Sequence, residues 1–109
     1  MSALTQKRCV PCEAGVPPLE KQEVERLLNQ VPGWSLTGKW ITKEFQFKDF
    51  VEAMKFVNQV AALAEEEGHH PDIHVHYNKV SFDIWTHAID GLSENDFVLA
   101  AKIDTLQKR

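Results

Sequence analysis

Residues 65–77 read Glu65-Glu66-Glu67-Gly68-His69-His70-Pro71-Asp72-Ile73-His74-Val75-His76-Tyr77, and the spacing of apolar residues changes partway through them. Upstream, Phe50, Ala53, Met54, Val57, Val60, Ala61 and Ala64 recur at helical spacing behind Asp49 and Glu52, which are placed as the two members of a capping box. Gly68 supplies the residue that most readily closes a helix in the left-handed conformation. Downstream, Ile73, Val75 and Tyr77 alternate with His74 and His76, the period of a strand with one covered face. Pro71 biases His70 toward an extended backbone, so the stretch is a helix-to-strand corner that projects two adjacent imidazoles from rigid elements.

Working outward, Val80, Phe82 and Ile84 alternate with Ser81, Asp83 and Trp85, and Asn78-Lys79 separates this run from the preceding one, which predicts a hairpin. Ser93 with Asp96 three residues on is a second capping signature, and Leu99, Ile103 and Leu106 mark a closing helix. Before the corner, Trp34–Leu36 and Trp40–Phe47 read as another hairpin around Gly38, with Ile41, Lys43, Phe45 and Phe47 on one face. Val24, Leu27, Leu28 and Val31 form the apolar stripe of a first helix that ends before Pro32-Gly33. The order is α-β-β-α-β-β-α. Two hairpins side by side build a four-stranded antiparallel sheet, and three amphipathic helices on one face of it bury both apolar stripes, an α+β fold. Residues 19–109 are expected to form a single domain, and residues 1–18, punctuated by Pro11, Gly15, Pro17 and Pro18, an extended N-terminal arm.

The composition excludes several classes of function. The 109 residues are 43% hydrophobic and 26% charged, a globular balance sufficient for one core. No apolar run approaches the roughly 20 residues of a membrane helix, and the polar first residues lack the apolar stretch of a secretory signal, so a cytoplasmic protein is expected. Twelve basic against sixteen acidic residues leave a net charge of −4, the wrong sign for direct nucleic-acid binding. Cys9 and Cys12 form a Cys-Val-Pro-Cys tetrad with no second pair to complete a four-thiolate zinc site. A reduced, exposed pair in the arm is the expectation.

All five histidines fall between His69 and His87. A single histidine at a helix end is explained by the helix dipole, without any chemistry. Here, however, the ends of two antiparallel strands joined by a short turn lie together, so His87 at the end of the fourth strand should approach His69 and His70. Three imidazoles on one pocket point to proton transfer near neutral pH. Glu65, one turn before His69, is placed to accept from a histidine and fix its tautomer. Asp96 already has a structural role as the third residue of a helix, which weakens its catalytic claim. His74 and His76 share one strand face, but no acidic or thiolate ligand is evidently placed to complete a metal site there.

These residues carry a resemblance. Glu65-x-x-x-His69-His70-Pro71, followed by Tyr77, His87 and Asp96, is similar to the signature of the pterin-4a-carbinolamine dehydratase family. Gly33-Trp34, Phe45-Gln46-Phe47-Lys48-Asp49-Phe50, Tyr77-Asn78-Lys79-Val80, Thr86-His87 and Gly91-Leu92-Ser93 resemble family sequence as well, so that the likeness spans Leu19 to Gln107. It implies dehydration of 4a-hydroxytetrahydropterin to quinonoid dihydropterin and water, recycling a tetrahydrobiopterin-type cofactor for aromatic amino acid hydroxylases. The reaction needs an acid for the leaving hydroxyl and a base for the neighbouring ring nitrogen, with no metal and no cofactor. By resemblance His69, His70 and His87 are catalytic, Glu65, Pro71, Asp96 and Thr86 support them or the substrate, and Trp34 walls the pterin. Gly68 and Trp85 depart from residues that relatives carry at these places. The resemblance also implies a homodimer or homotetramer, in keeping with the open edges of a four-stranded sheet. Two other readings stand beside the enzyme: a protein-binding dimerisation or coactivator module, and a pterin-related role in molybdenum cofactor metabolism.

Overall fold

The computed structural model describes residues 3–7, 9 and 17–107. Its elements follow the expected order: α1 (Lys21–Leu28), β1 (Ser35–Thr37), β2 (Trp40–Gln46), α2 (Phe50–Glu67), β3 (Asp72–His76), β4 (Lys79–Ile84) and α3 (Glu94–Gln107). The four strands make one antiparallel sheet in the order β1-β2-β4-β3. Among the described residues, no helix is long and apolar enough to cross a membrane.

The alternation read from sequence decides which face the helices cover. Ile41, Phe45, Val80, Phe82 and Ile84 are buried, while their neighbours Thr42, Glu44, Gln46, Ser81 and Asp83 lie on the opposite, open face. Phe82 is at the centre of the covered side, with the rings of Phe45 and Phe56 each at 5.8 Å in edge-to-face contact. Lys43 is opposite Phe82 in the register, and its ammonium pairs with Asp104 at 2.9 Å and stands 4.7 Å from the Phe45 ring centre.

Helix α2 begins and ends where its caps require. The Asp49 side chain accepts from the Glu52 backbone N–H at 2.9 Å, and Gly68 closes the helix at φ 69° with its N–H on the Ala64 carbonyl. Its buried stripe is Ala53, Phe56, Val60 and Ala64, whereas Phe50 and Val51 stay exposed. Apolar residues occur around most of this helix, so spacing alone did not single out Phe56. Helix α3 is buried continuously from Asn95 to Ala101 because α1, α2 and the N-terminal segment all pack against it. The second hairpin turns at Tyr77-Asn78, one residue earlier than the sequence suggests; Tyr77 adopts φ 56° and Asn78 ties the turn to the Phe47 carbonyl.

The expected extended arm is corrected over its described part. Ala3–Gln6 forms a 3-10 turn packed on α3, and Leu4 is 2% exposed in the core. Cys9 is half-buried, its backbone N–H donating to Glu67 Oε1 at 2.9 Å and its thiol to the Asn95 carbonyl at 3.6 Å. The buried Leu4, the Cys9–Glu67 bond and a Lys7–Glu94 ion pair at 2.8 Å dock this segment, for which the sequence predicts an extended arm. Cys12, and with it the Cys-Val-Pro-Cys pair, lies outside the described residues.

Burial, reinforced by the negative charge of Glu67, pushes the Cys9 thiol up to about 12 from the ordinary value of 9.0. Folding therefore holds Cys9 as the unreactive neutral thiol at every pH below that range. In a Cys12→Ser protein, alkylation of Cys9 by iodoacetamide at pH 8.5 is expected to be about a hundredfold slower folded than in urea. Equal rates, read by mass spectrometry, would contradict the docked segment.

Candidate active site

The site lies where the C-terminal end of α2, the start of β3, the end of β4 and the start of α3 meet. Its cavity, of about 360 Å³, is lined by Gly68, His69, His70, Pro71, Asp72, Trp85, Thr86, His87 and Ala88. That volume falls within the roughly 300–1,000 Å³ usual for small-molecule sites. The β3–β4 pairing builds it: Asp72 is opposite Asp83, so the residues just before β3 face those just after β4. His69, His70 and His87 accordingly come to one cavity, as do Pro71 and Thr86.

Asp96 is the polar centre of the site. Its side chain is fully buried, with Oδ1 at 2.6 Å from His69 Nε2 and Oδ2 accepting from the Thr86 hydroxyl at 2.9 Å and the Ser93 backbone N–H at 2.8 Å. The Ser93 bond is the cap expected at the start of α3. The other two turn the capping residue toward the cavity, which the spacing of Ser93 and Asp96 alone did not reveal. Because a carboxylate only accepts, the His69 Nε2–H donates, and a neutral ring then presents Nδ1 as its acceptor.

Glu65 pairs with His70 rather than with His69, Oε2 standing 2.5 Å from Nε2, and both side chains are more than half exposed. Of the acidic run that closes α2, Glu67 is buried and pairs with Lys102 at 2.7 Å, so two of the three carboxylates answer the unfavourable helix end with specific partners. His87 opens a short 3-10 turn, His87–Ile89, whose base is closed by the antiparallel bridge between Thr86 and Gly91. The Trp85 indole stacks on the His87 ring with centroids 4.1 Å apart.

Trp34 is placed elsewhere. It is a core residue, its indole N–H shared between the two Asp104 oxygens at 3.2 Å and its ring edge-on to Phe45, and it is not among the residues lining the cavity. The aromatic side chain that does line it is Trp85, which in the sequence stood out only as a departure from relatives. His74 pairs with Asp83 at 2.9 Å on the open face of the sheet. Among the described residues, no group of three or more His, Cys, Asp or Glu side chains is placed to hold a metal ion.

The sequence profile of the family described as "Pterin 4 alpha carbinolamine dehydratase" matches residues 17–106. A protein of Nitrosospira multiformis, provisionally named pterin-4-alpha-carbinolamine dehydratase, is 54% identical over 103 residues, covering 94% of this chain and 91% of its own. One of Rubrobacter xylanophilus, named in the same way, is 50% identical over 107 residues, covering 97% of this chain and all of its own. The crystal structure of a transcriptional coactivator/pterin dehydratase from Brucella melitensis superposes with a TM-score of 0.78 at 34% identity, over 82% of this chain and 97% of that one. A pterin dehydratase-like protein identified as a RuBisCO assembly factor in the alpha-carboxysome superposes with a TM-score of 0.59 at 28% identity, over 68% and 88%.

The Asp96 geometry makes a specific demand. In Asp96→Asn the amide oxygen can keep the Thr86 and Ser93 bonds only by turning its NH₂ toward His69, so the imidazole must accept at Nε2 and carry its proton on Nδ1. Long-range ¹⁵N–¹H spectra are expected to show His69 as the Nε2–H tautomer in the native protein and the Nδ1–H tautomer in the variant. Urea unfolding should register a loss of about 1.5–3 kcal/mol, the scale for hydrogen bonds to a charged group. An unchanged tautomer would refute the arrangement.

Proposed function

The chain belongs to the pterin 4 alpha carbinolamine dehydratase family, and from that premise we propose that it dehydrates 4a-hydroxytetrahydropterin to quinonoid dihydropterin and water by histidine acid–base catalysis. The observation that carries the proposal is the cavity itself, where three imidazoles from two chain segments, the corner after α2 and the exit of β4, share one space and carboxylates orient two of them. In the reaction the C4a–O bond breaks as an acid protonates the leaving hydroxyl. A base takes the proton from the ring nitrogen beside C4a, whose electron pair forms the new double bond. Histidines suit both tasks because the imidazole exchanges its proton near neutral pH.

Each residue has a part in this reading. His69, held through Nε2 by Asp96, and His70, held through Nε2 by Glu65, offer Nδ1 to the substrate, and His87 lines the same cavity. Pro71 keeps the corner extended, and Thr86 supports the site through Asp96. In this reading the product recycles a tetrahydrobiopterin-type cofactor for an aromatic amino acid hydroxylase, and the proposed location is the cytoplasm. A homodimer or homotetramer accompanies the activity: β1 and β3 are the open sheet edges, and Phe50, Val51 and Tyr77 are exposed apolar residues beside them or on α2.

A second reading, a partner-binding module, draws support from the names of the two solved structures, one a transcriptional coactivator and the other an assembly factor. It would use the exposed apolar surface and leave the cavity idle.

The two are separated by following the dehydration of freshly generated 4a-hydroxytetrahydropterin by ultraviolet absorbance. Wild type is expected to accelerate it, and His70→Ala to lower turnover by roughly a hundredfold with the fold intact, the usual scale of acid–base catalysis. No acceleration by wild type would favour the binding module, and an unchanged His70→Ala rate would remove His70 from the mechanism.

A further inference from the structure

The three imidazoles at the cavity are held by different means. His69 is bonded to Asp96 and His70 to Glu65, each through Nε2. Among the described residues no side chain or backbone group hydrogen-bonds the His87 ring, although it is exposed at the cavity mouth. What touches it is Trp85, with ring centroids 4.1 Å apart and planes inclined by 39°. The separation is shorter than the lower end of the 4.5–7 Å range, approximately, of aromatic pairs.

Trp85 is itself fixed. It follows Ile84, which points into the core at 0% exposure, and just past the end of β4 it packs half-buried against the core. Trp40 stands beside it, because Ile41 is registered with Ile84 on the neighbouring strand, and the two indoles lie 6.3 Å apart at 55°. The backbone under His87 is pinned by the Thr86–Gly91 bridge and by the Asp90 N–H on the His87 carbonyl. The freedom left to His87 is rotation about its own side-chain bonds, and the indole face restricts it.

We propose that Trp85, backed by Trp40, is the positioning residue for His87, its stacked indole standing where a carboxylate stands for the other two histidines. The difference has a chemical consequence. A carboxylate occupies one ring nitrogen, whereas a stacked indole occupies neither, so His87 keeps both Nδ1 and Nε2 for the substrate and solvent. His87 is thereby the imidazole suited to take a proton on one side and release it on the other. This rests on the proposed dehydratase reading for its catalytic part, while the stack itself is independent of it.

The test combines kinetics with a spectroscopic readout. The His87 ring C–H resonances, assigned by their loss in His87→Ala, should lie upfield of those of a free histidine in wild type because of the indole ring current. The displacement should vanish in Trp85→Ala and survive in part in Trp85→Phe. Trp85→Ala is expected to lower kcat by about tenfold to a hundredfold with KM changed less than about threefold, the scale of a misplaced catalytic group. Trp85→Phe should restore most of the rate. In the His87→Ala background, Trp85→Ala should cost nothing further. A loss confined to KM, a loss that multiplies with that of His87→Ala, or a wild-type spectrum without the displacement would each overturn the proposal. A displaced resonance in a wild type that does not dehydrate the carbinolamine would overturn the dehydratase reading and uphold the stack.

Discussion

The fully buried Asp96 carboxylate is the constraint on which the rest of the site depends. A carboxylate removed from water is costly unless its lone pairs are satisfied, and here three donors from different parts of the chain satisfy them: the His69 ring, the Thr86 hydroxyl and the Ser93 N–H. One anion thus joins the corner after α2, the exit of β4 and the start of α3. Losing any one of the three donors leaves part of a buried charge unpaired, so they are expected to hold or fail together. The same group that caps a helix also sets the tautomer of a histidine, and the structural and chemical roles of Asp96 cannot be separated by position alone.

Glu67 does a parallel service two residues before His69. Buried between Lys102 and the Cys9 backbone, it fastens the end of α2 to α3 and to the N-terminal segment. The C-terminus of a helix is a poor place for a carboxylate, and pairing with Lys102 offsets the unfavourable dipole. The corner that carries His69 and His70 is therefore braced from both sides, by Asp96 through the imidazole and by Glu67 through the helix. Glu65, exposed and, among the described residues, paired with His70 alone, is the looser member of the set.

Local chemistry was legible in the sequence, and long-range chemistry was not. Asp49, Gly68 and Ser93 announce helix ends because a cap acts within four residues. The alternation of Val80, Phe82 and Ile84 announces a strand with one buried face, and hairpin geometry then brings His87 toward His69 and His70. Trp34 defeated the reading because its indole N–H finds Asp104, 70 positions away, a partner that no local pattern marks. Leu4 and Cys9 were missed for the same reason: a single buried side chain in a short segment has no period. In α3, burial from Asn95 to Ala101 erases the amphipathic stripe by which a helix declares its core face. Asp96 showed as a cap from its spacing and as a supporting site residue only through the family resemblance, since its contact to His69 crosses from α3 to the corner after α2.

The two sides of strand β4 explain why cavity and core stand or fall as one. Val80, Phe82 and Ile84 are each at 0% exposure, and a slip of one residue in register would exchange them for Ser81, Asp83 and Trp85. Such a slip is opposed by the loss of three buried side chains, each worth about 1.5–3 kcal/mol. The register is therefore held by residues that never touch the cavity, yet it is the register that sets Asp72 opposite Asp83 and places Trp85 where His87 meets it. The stack of Trp40, Trp85 and His87 lies across neighbouring strands only while Ile41 stays opposite Ile84. The placement of the third imidazole is in this sense a product of the hydrophobic core, transmitted through the pleat of one strand.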